Sequence, residues 1–170
     1  MAENWYSIYT HCNAEAILQN SIARYSEMNT VNYETFLPLQ VERKQWKDRV
    51  KVRKVPLFRN YLFVKHDDGG FHKIKTMKGF QNYVCTGTNP SIIPEYEIDM
   101  VRSIANFRAD QTARTSPLAT GRKVKICRGA LAGYRGILIE NQRNSTVAIS
   151  IKSLNLCLSI RMPADHVMCV

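Results

Sequence analysis

The chain has 170 residues, of which 45% are hydrophobic and 22% are charged, an ordinary balance for one globular domain or two small ones. No apolar run approaches the roughly 18 residues of a membrane span. The N-terminus has no basic segment followed by an apolar one, so we expect no signal peptide. The five cysteines are scattered and include no CxxC pair, which argues against a disulfide framework or a zinc site. We expect reduced, mostly buried thiols in a cytoplasmic protein.

The net charge of +10 is unevenly placed along the chain. Residues 1–110 hold 15 Lys/Arg against 12 Asp/Glu, a net charge of +3, whereas residues 111–170 hold 9 against 2, a net charge of +7. This asymmetry favours a polyanionic partner, such as nucleic acid or an RNA-rich assembly. A basic surface kept only for solubility is the alternative.

The first part of the chain alternates between strand and helix patterns. "WYSIYTH" predicts a strand, and the helical spacing that follows predicts a helix with Asn13 as its N-cap. "KQWKDRVKVRKV" predicts a basic hairpin with its turn near Lys47 and Asp48. A short helix is predicted from Phe71 to Met77, then a strand at "NYVCTG" and a helix entered at Pro94 and continuing through Phe107. The order β-α-β-β-α-β-α predicts an α+β sandwich.

The segment "PLFRNYLFVKHD", residues 56–67, is apolar on both faces if it is a regular strand. Phe58, Leu62 and Val64 would share one face. Tyr61 and Phe63 would share the other. A half-exposed strand is apolar on one face only, so the second face needs a cover. We expect the domain's own helices to cover one face, and the face of Tyr61 and Phe63 to be a candidate seat for a partner.

The last 50 residues are strand-like throughout. Residues 108–121 have no apolar period and predict a linker. After them, apolar residues alternate in short runs, most strictly from Leu154 to Met162. This pattern indicates a small SH3-like β-barrel. The β-branched residues and the alternation favour a stable barrel over refolding into helix.

The sequence contains no catalytic or metal-binding constellation. Its histidines lack HxxxH and HExxH spacing, and adjacent His11 and Cys12 would point to opposite faces of a strand. "CRGALAGYRG" lacks the Lys-Ser/Thr of a phosphate-binding loop, and "HDDGG" is typical of a solvated turn. We therefore expect no enzyme activity, no cofactor and no metal.

Two sets of motifs resemble a known family. "GRKVKICRGALAGYRGILI", residues 121–139, resembles the KOW motif, which NusG-type transcription factors share with several ribosomal proteins. "NWYSIYT", "PLFRNYLFV" and "GFQNYVCTGTNPSIIPEYEI" resemble the N-terminal domain of NusG proteins, in the family's order. "PLFRNYLFVKHD" and "FHKIKT" look most similar to the specialised RfaH and UpxY branches. The resemblance predicts a polymerase-binding domain at 1–108 with a helix-flanked antiparallel sheet, a linker at 109–119 and a KOW barrel at 120–170.

The resemblance also implies partners and site residues. In that family the first domain binds the clamp coiled coil of RNA polymerase, bridges the nucleic-acid cleft and suppresses pausing. The matching clamp-facing residues are Tyr9, Phe58, Tyr61 and Phe63, although each is alternatively a core residue. His72 and Lys73 match the contact with the second polymerase lobe, although "HKIK" replaces the His-Thr-Thr run of RfaH. The positions that match or suggest nucleic-acid contacts are His11, Arg24, Lys75 and Lys78, each alternatively a solvated charge.

The implied function is antitermination of transcription in particular operons, such as those for polysaccharide biosynthesis. The KOW domain would bind a small-subunit ribosomal protein or Rho, and its charge also favours nascent RNA. We expect a monomer. Two alternatives are a housekeeping NusG that acts with Rho and a ribosome-associated KOW protein that binds RNA.

Overall fold

The computed structural model describes residues 3–46, 48–106, 114–116, 121–141, 144–154 and 156–170. It forms two compact units, one of Met1–Leu37 with Phe58–Ile98 and the other of Pro38–Leu57 with Asp99–Val170. The domain bounds of 1–108, 109–119 and 120–170 stay a prediction.

The N-terminal elements follow the predicted alternation of strand and helix, and the α+β class with a β-rich C-terminal part is confirmed. In chain order they are β1 (Asn4–Thr10), α1 (Glu15–Asn29), β2 (Glu34–Phe36), β3 (Leu39–Gln45), β4 (Val50–Pro56), β5 (Tyr61–His66), α2 (Gly70–Lys75), β6 (Phe80–Tyr83), β7 (Cys85–Thr86), β8 (Asn89–Pro90) and α3 (Glu95–Ala105).

The first unit is built on an antiparallel sheet of order β2-β5-β1-β6. Alternate residues of β1 and β5 face α1 and α2, as the period of two requires. The core they form consists of Tyr6, Ile8, Leu18, Ile22, Leu62, Val64, Ile74 and Tyr83. This confirms that the domain's own helices cover the Leu62 and Val64 face of β5.

Helix α1 begins differently from the prediction. Asn13 is not its N-cap: the N-cap is Ala14, and no side chain caps it. Asn13 has a left-handed φ of 55°, a conformation that asparagine tolerates better than most residues. The asparagine therefore serves the turn between β1 and α1 rather than the first helical N–H groups.

The segment 56–67 is not one regular strand. Residues 57–60 form a bend and turn in which Asn60 has a φ of 64°, and β5 begins only at Tyr61. The assignment of Phe58 to the face of Leu62 and Val64 is therefore wrong, because the turn breaks the strand's alternation between the two residues. Phe58 packs instead against Tyr61 and Phe63.

The predicted basic hairpin is present. Strands β3 and β4 form a two-stranded antiparallel sheet with Gln45 opposite Val50. The Trp46 N–H donates to the Arg49 carbonyl at 2.8 Å, which closes the hairpin at the predicted position.

The C-terminal described residues are almost entirely strand, as predicted. They form β9 (Arg114–Ser116), β10 (Arg122–Ile126), β11 (Arg135–Asn141), β12 (Asn144–Ile151), β13 (Leu156–Pro163) and β14 (Val167–Cys169) in one antiparallel sheet of order β14-β10-β11-β12-β13-β9. The alternating residues Val147, Ile149, Leu158 and Ile160 are buried. Close approach explains Gly136, since a Cβ there would lie 2.6 Å from Val147 Cγ1 and 2.7 Å from the Ala148 carbonyl oxygen.

The predicted linker contains strand β9, which pairs with β13. A short edge strand needs only backbone hydrogen bonds, so the apolar period that marks buried strands is absent there. The rest of 109–119 and Phe107 lie outside the described residues.

The expectation of mostly buried thiols is wrong. All five cysteines are free, and only Cys157 is buried; Cys12, Cys85, Cys127 and Cys169 are exposed. Each exposed cysteine lies in a turn or near a strand end, where burial is not imposed by the core. None of the helices built from described residues is long and apolar enough to cross a membrane.

His66 is fully buried at the end of β5, although the sequence suggested a solvated turn there. Its Nδ1 lies 2.5 Å from the Asp67 carbonyl oxygen, which can only accept, so Nδ1 carries the proton. Nε2 therefore accepts from the Tyr83 hydroxyl at 3.1 Å. The ring also stacks on Tyr6 with centroids 4.8 Å apart and meets the edge of Phe71. Both ring nitrogens of the neutral imidazole therefore have hydrogen-bond partners in this site.

We expect the first unit to lose stability as the pH falls below about 6.5. Burial lowers the pKa of His66 below its ordinary 6.5, against smaller opposing effects of the Asp67 carbonyl and of the Asp67 and Asp68 carboxylates. The unfolded chain therefore binds a proton more readily than the folded chain does. The contribution of His66 to the free energy of unfolding is complete above the unfolded pKa and declines below it. Thermal unfolding between pH 7.5 and 5.0 measures this, and His66→Gln should flatten the slope. The control His72→Gln, at an exposed position, should retain it; equal slopes in wild type and His66→Gln would contradict the assignment.

Candidate functional site: an aromatic patch and a basic groove

The four predicted clamp-facing aromatic residues come together in one cluster, which we call the aromatic patch: Tyr9, Phe58, Tyr61 and Phe63. Tyr9 and Tyr61 are directly opposite in the β1–β5 register, with ring centroids 5.2 Å apart and an edge-to-face angle of 78°. Phe58 lies 6.4 Å from Tyr61 and 5.9 Å from Phe63, both edge to face. Such geometry is favourable for aromatic rings and fixes their relative orientation.

The turn before β5 brings Phe58 into the patch. The backbone of Asn60 is held on both sides: its N–H donates to Glu15 Oε1 at 2.6 Å, and its carbonyl accepts from the Thr10 N–H at 2.8 Å. Its side-chain amide reaches the Tyr9 hydroxyl at 3.5 Å. The left-handed residue is thus tied both to the start of α1 and to the end of β1.

Glu15 is a positioning residue that the sequence did not reveal. It is only 4% exposed, and its carboxylate is buried next to the turn, where Oε1 accepts the Asn60 N–H. An acidic residue in a helix's first turn is ordinarily explained by the helix dipole, so no local pattern marks its second role. This role appears only in the folded protein, where the turn at Asn60, 45 residues away in sequence, packs against Glu15.

The patch has a buried floor and a partly exposed rim. Phe58 is 1% and Phe63 0% exposed, whereas Tyr9 and Tyr61 are half-buried. Burial raises the pKa of the Tyr61 phenol, with a smaller contribution from Tyr9, so the Tyr61 hydroxyl remains neutral at ordinary pH. The rim therefore offers two phenols over apolar rings, which suits an amphipathic protein partner.

Two of the predicted nucleic-acid residues share a groove beside α1. Its volume is about 540 Å³, and it is lined by Ile17, Asn20, Ser21, Ala23, Arg24, Glu27 and Lys78. Arg24 and Lys78 both have exposed side chains. His11 is exposed close to this groove, since its N–H donates to the carbonyl of Gly79, the residue after Lys78, at 3.1 Å. We call Arg24, Lys78 and His11 the basic groove residues.

The remaining predicted contacts lie on the short helix α2. His72, Lys73 and Lys75 are exposed, while Ile74 is buried in the sheet's core. Lys75 is not among the described residues that line the groove beside α1. Helix α2 thus presents three basic side chains to solvent from a fixed backbone.

Within the described ranges, no three His, Cys, Asp or Glu side chains are grouped so that they could hold a metal ion.

Comparison with known proteins places these surfaces in context. Residues 3–102 match the family model described as transcription termination factor NusG. A solved structure of Thermotoga maritima NusG, titled for its domain interaction, has the same fold: the TM-score is 0.68 at 16% identity, with 100% of this chain and 98% of that chain covered. A structure of the MjSpt4:Spt5 complex also matches, at a TM-score of 0.37 and 15% identity over 98% of this chain and 96% of that chain.

Proposed function

The chain belongs to the NusG family of transcription factors, and we propose that it is an antiterminator that binds the clamp coiled coil of RNA polymerase through the aromatic patch. In this proposal it bridges the nucleic-acid cleft, restrains clamp opening and suppresses pausing and termination in specific operons, such as those for polysaccharide biosynthesis. The family consists of transcription factors rather than enzymes, so the action is binding without catalysis.

The observation that carries the proposal is the aromatic patch itself. An amphipathic helical tip needs an apolar seat with a polar rim, and tyrosines supply large contact area at low entropy cost. Tyr9 and Tyr61 remain partly exposed over the buried rings of Phe58 and Phe63. The patch also lies within residues 3–102, the part of the chain that matches the family.

The other predicted residues complete the proposed complex. His72 and Lys73 contact the second polymerase lobe from α2. His11, Arg24, Lys75 and Lys78 contact the exposed non-template DNA strand, where cations on phosphates set the affinity. Support comes from the groove that Arg24 and Lys78 share.

For the second domain, at 120–170, we propose a small-subunit ribosomal protein, Rho or nascent RNA as partner. We further propose that the protein is a cytoplasmic monomer with the domain bounds 1–108, 109–119 and 120–170.

In vitro elongation with purified bacterial RNA polymerase tests the proposal. On a template carrying the operon's own leader, the protein should shorten pauses and increase run-off, and it should not do so on a template lacking that leader. Unchanged pausing on both templates would refute antitermination. The alternative of a housekeeping factor, which the family description as a termination factor favours, predicts instead increased Rho-dependent release on both templates.

A further inference from the structure

The turn before β5 contains a left-handed residue that is not glycine. Asn60 has a φ of 64°, and among the residues that the structure describes only Asn13 and Thr30 share a positive φ without being glycine. A residue with a side chain adopts this conformation at a cost, and it persists only where the surrounding structure holds it. Backbone strain of this kind is concentrated at functional sites, so the groups that hold Asn60 indicate what the turn is for.

The backbone of Asn60 is held by two hydrogen bonds, and the shorter one ends on a side chain. The Glu15 carboxylate accepts the Asn60 N–H at 2.6 Å, and the Asn60 carbonyl accepts the Thr10 N–H at 2.8 Å. Because Glu15 is only 4% exposed, little water competes for the N–H, and a hydrogen bond in such surroundings is strong. Loss of the carboxylate would leave the Asn60 donor without its acceptor.

The burial of Glu15 has no other explanation in the described part of the chain. Its side chain has no hydrogen bond or ion pair there except the one with Asn60, and it does not cap α1, whose N-cap Ala14 has no side-chain partner. An exposed acid in the first turn would serve the helix dipole equally well. Burying a carboxylate costs free energy, which the bond to the turn offsets.

The conformation of Asn60 decides how the rings on either side of it meet. Phe58 precedes the turn and Tyr61 follows it, and their centroids lie 6.4 Å apart, edge to face. The side-chain amide of Asn60 also lies 3.5 Å from the hydroxyl of Tyr9, whose ring meets that of Tyr61 at 5.2 Å. A different φ at Asn60 would redirect the chain between Phe58 and Tyr61, so the patch would lose this arrangement.

We propose that Glu15 is a positioning residue for polymerase binding: it preorganises the aromatic patch by holding Asn60 in the left-handed conformation, without contacting polymerase itself. A surface that is already ordered binds more tightly, because the partner does not have to order it. Without Glu15, only molecules with the turn in place can bind, and the apparent Kd rises by the inverse of their fraction. The inference rests on the proposed function of the patch and deepens it, since it assigns part of the affinity to a residue that the partner does not touch.

Titration of labelled RNA polymerase with variants of the full chain, at a temperature where each variant is folded, tests this inference. Glu15→Ala removes the acceptor and should raise the Kd on the order of tenfold, the usual effect of leaving one buried donor unpaired. Glu15→Gln keeps an acceptor oxygen there and should bind within about threefold of wild type. The control Glu3→Ala removes a carboxylate from an exposed position and should bind like wild type.

A double-mutant cycle distinguishes positioning from general support of the fold. If Glu15 acts through the patch, the combination of Glu15→Ala and Tyr61→Ala should weaken binding by clearly less than the product of the two single effects. A residue that only stabilises the fold would give independent losses. Hydrogen exchange of Glu15→Ala should be faster than in wild type at residues 58–61 and unchanged in β12.

A matched pair at Asn60 tests the turn from its other side, and it serves if the Glu15 variants fold poorly. Asn60→Gly and Asn60→Ala both lack the side-chain amide, but only glycine adopts a left-handed φ without strain. Asn60→Gly should therefore bind polymerase about fivefold more tightly than Asn60→Ala.

The outcomes separate this inference from the proposed function. If Tyr61→Ala binds polymerase like wild type, both are wrong. If Tyr61→Ala weakens binding while Glu15→Ala binds as well as Glu3→Ala, only the inference is wrong. Multiplicative losses in the cycle, or equal Kd values for Asn60→Gly and Asn60→Ala, would also overturn the inference and leave the proposed function intact.

Discussion

Tyr61→Ala is expected to weaken binding to RNA polymerase by about 30-fold or more, without unfolding the protein. The side chain is half-buried at the rim of the aromatic patch, next to Tyr9 and over Phe58. Aromatic anchors at the centre of an interface cost at least about 2 kcal/mol when truncated, and each 1.4 kcal/mol is a factor of ten in Kd. Tyr61 lies at the partly exposed rim of the patch and not in its buried floor. Its truncation should therefore weaken polymerase binding more than it lowers the stability of the protein.

The measurement is a titration of labelled polymerase with the variant protein, accompanied by thermal unfolding. Tyr96→Ala is the matched control, since Tyr96 is a tyrosine on α3 that is 61% exposed and does not belong to the patch. If Tyr61→Ala binds polymerase as well as Tyr96→Ala does, the aromatic patch is not the clamp site.

Phe58→Ala is expected to destabilise the protein by roughly 3–5 kcal/mol, because it removes a fully buried ring. The lost ring contacts both Tyr61 and Phe63, so the rim should also lose its support. Denaturant unfolding measures the free energy of unfolding, and Phe58→Leu serves as a conservative partner that should cost much less.

Tyr61→Ala and Phe58→Ala separate the two roles within the patch, which are partner binding at the rim and structural support in the floor. Phe58→Ala should lower stability strongly, and it should weaken polymerase binding even at temperatures where it remains folded. If Phe58→Ala were as stable as wild type, Phe58 would not form part of the buried floor of the patch. That result would contradict its packing against Tyr61 and Phe63.

The sequence predicted the secondary structure well where a period extends over several residues. The alternation from Val147 to Ile151 and from Leu158 to Met162 produced buried strand faces, because side chains on a pleated strand must alternate, whereas Leu154 lies in a 3-10 turn before β13 begins at Leu156. The hairpin at Trp46 and the helix after Pro94 followed from equally local signals. Family motifs then supplied the residues of the patch, which no periodicity would have singled out.

Single residues in irregular backbone were predicted less well. Asn13 was expected to cap α1 but lies in the turn before it, and the exposed cysteines were expected to be buried. In each case the residue's own propensity permits two environments, and contacts with distant parts of the chain select one of them.

The amino-acid sequence by itself determined the order of strands and helices, the hairpin, the absence of a catalytic motif and the identity of the four aromatic residues. Only the tertiary structure decided that these four lie together, with Phe58 beside Tyr61 rather than on the opposite face of a strand. The reason is the left-handed Asn60, whose N–H is held by a carboxylate 45 residues away in sequence. Local patterns encode periodicity, whereas a turn held by a distant side chain exists only once the chain has folded.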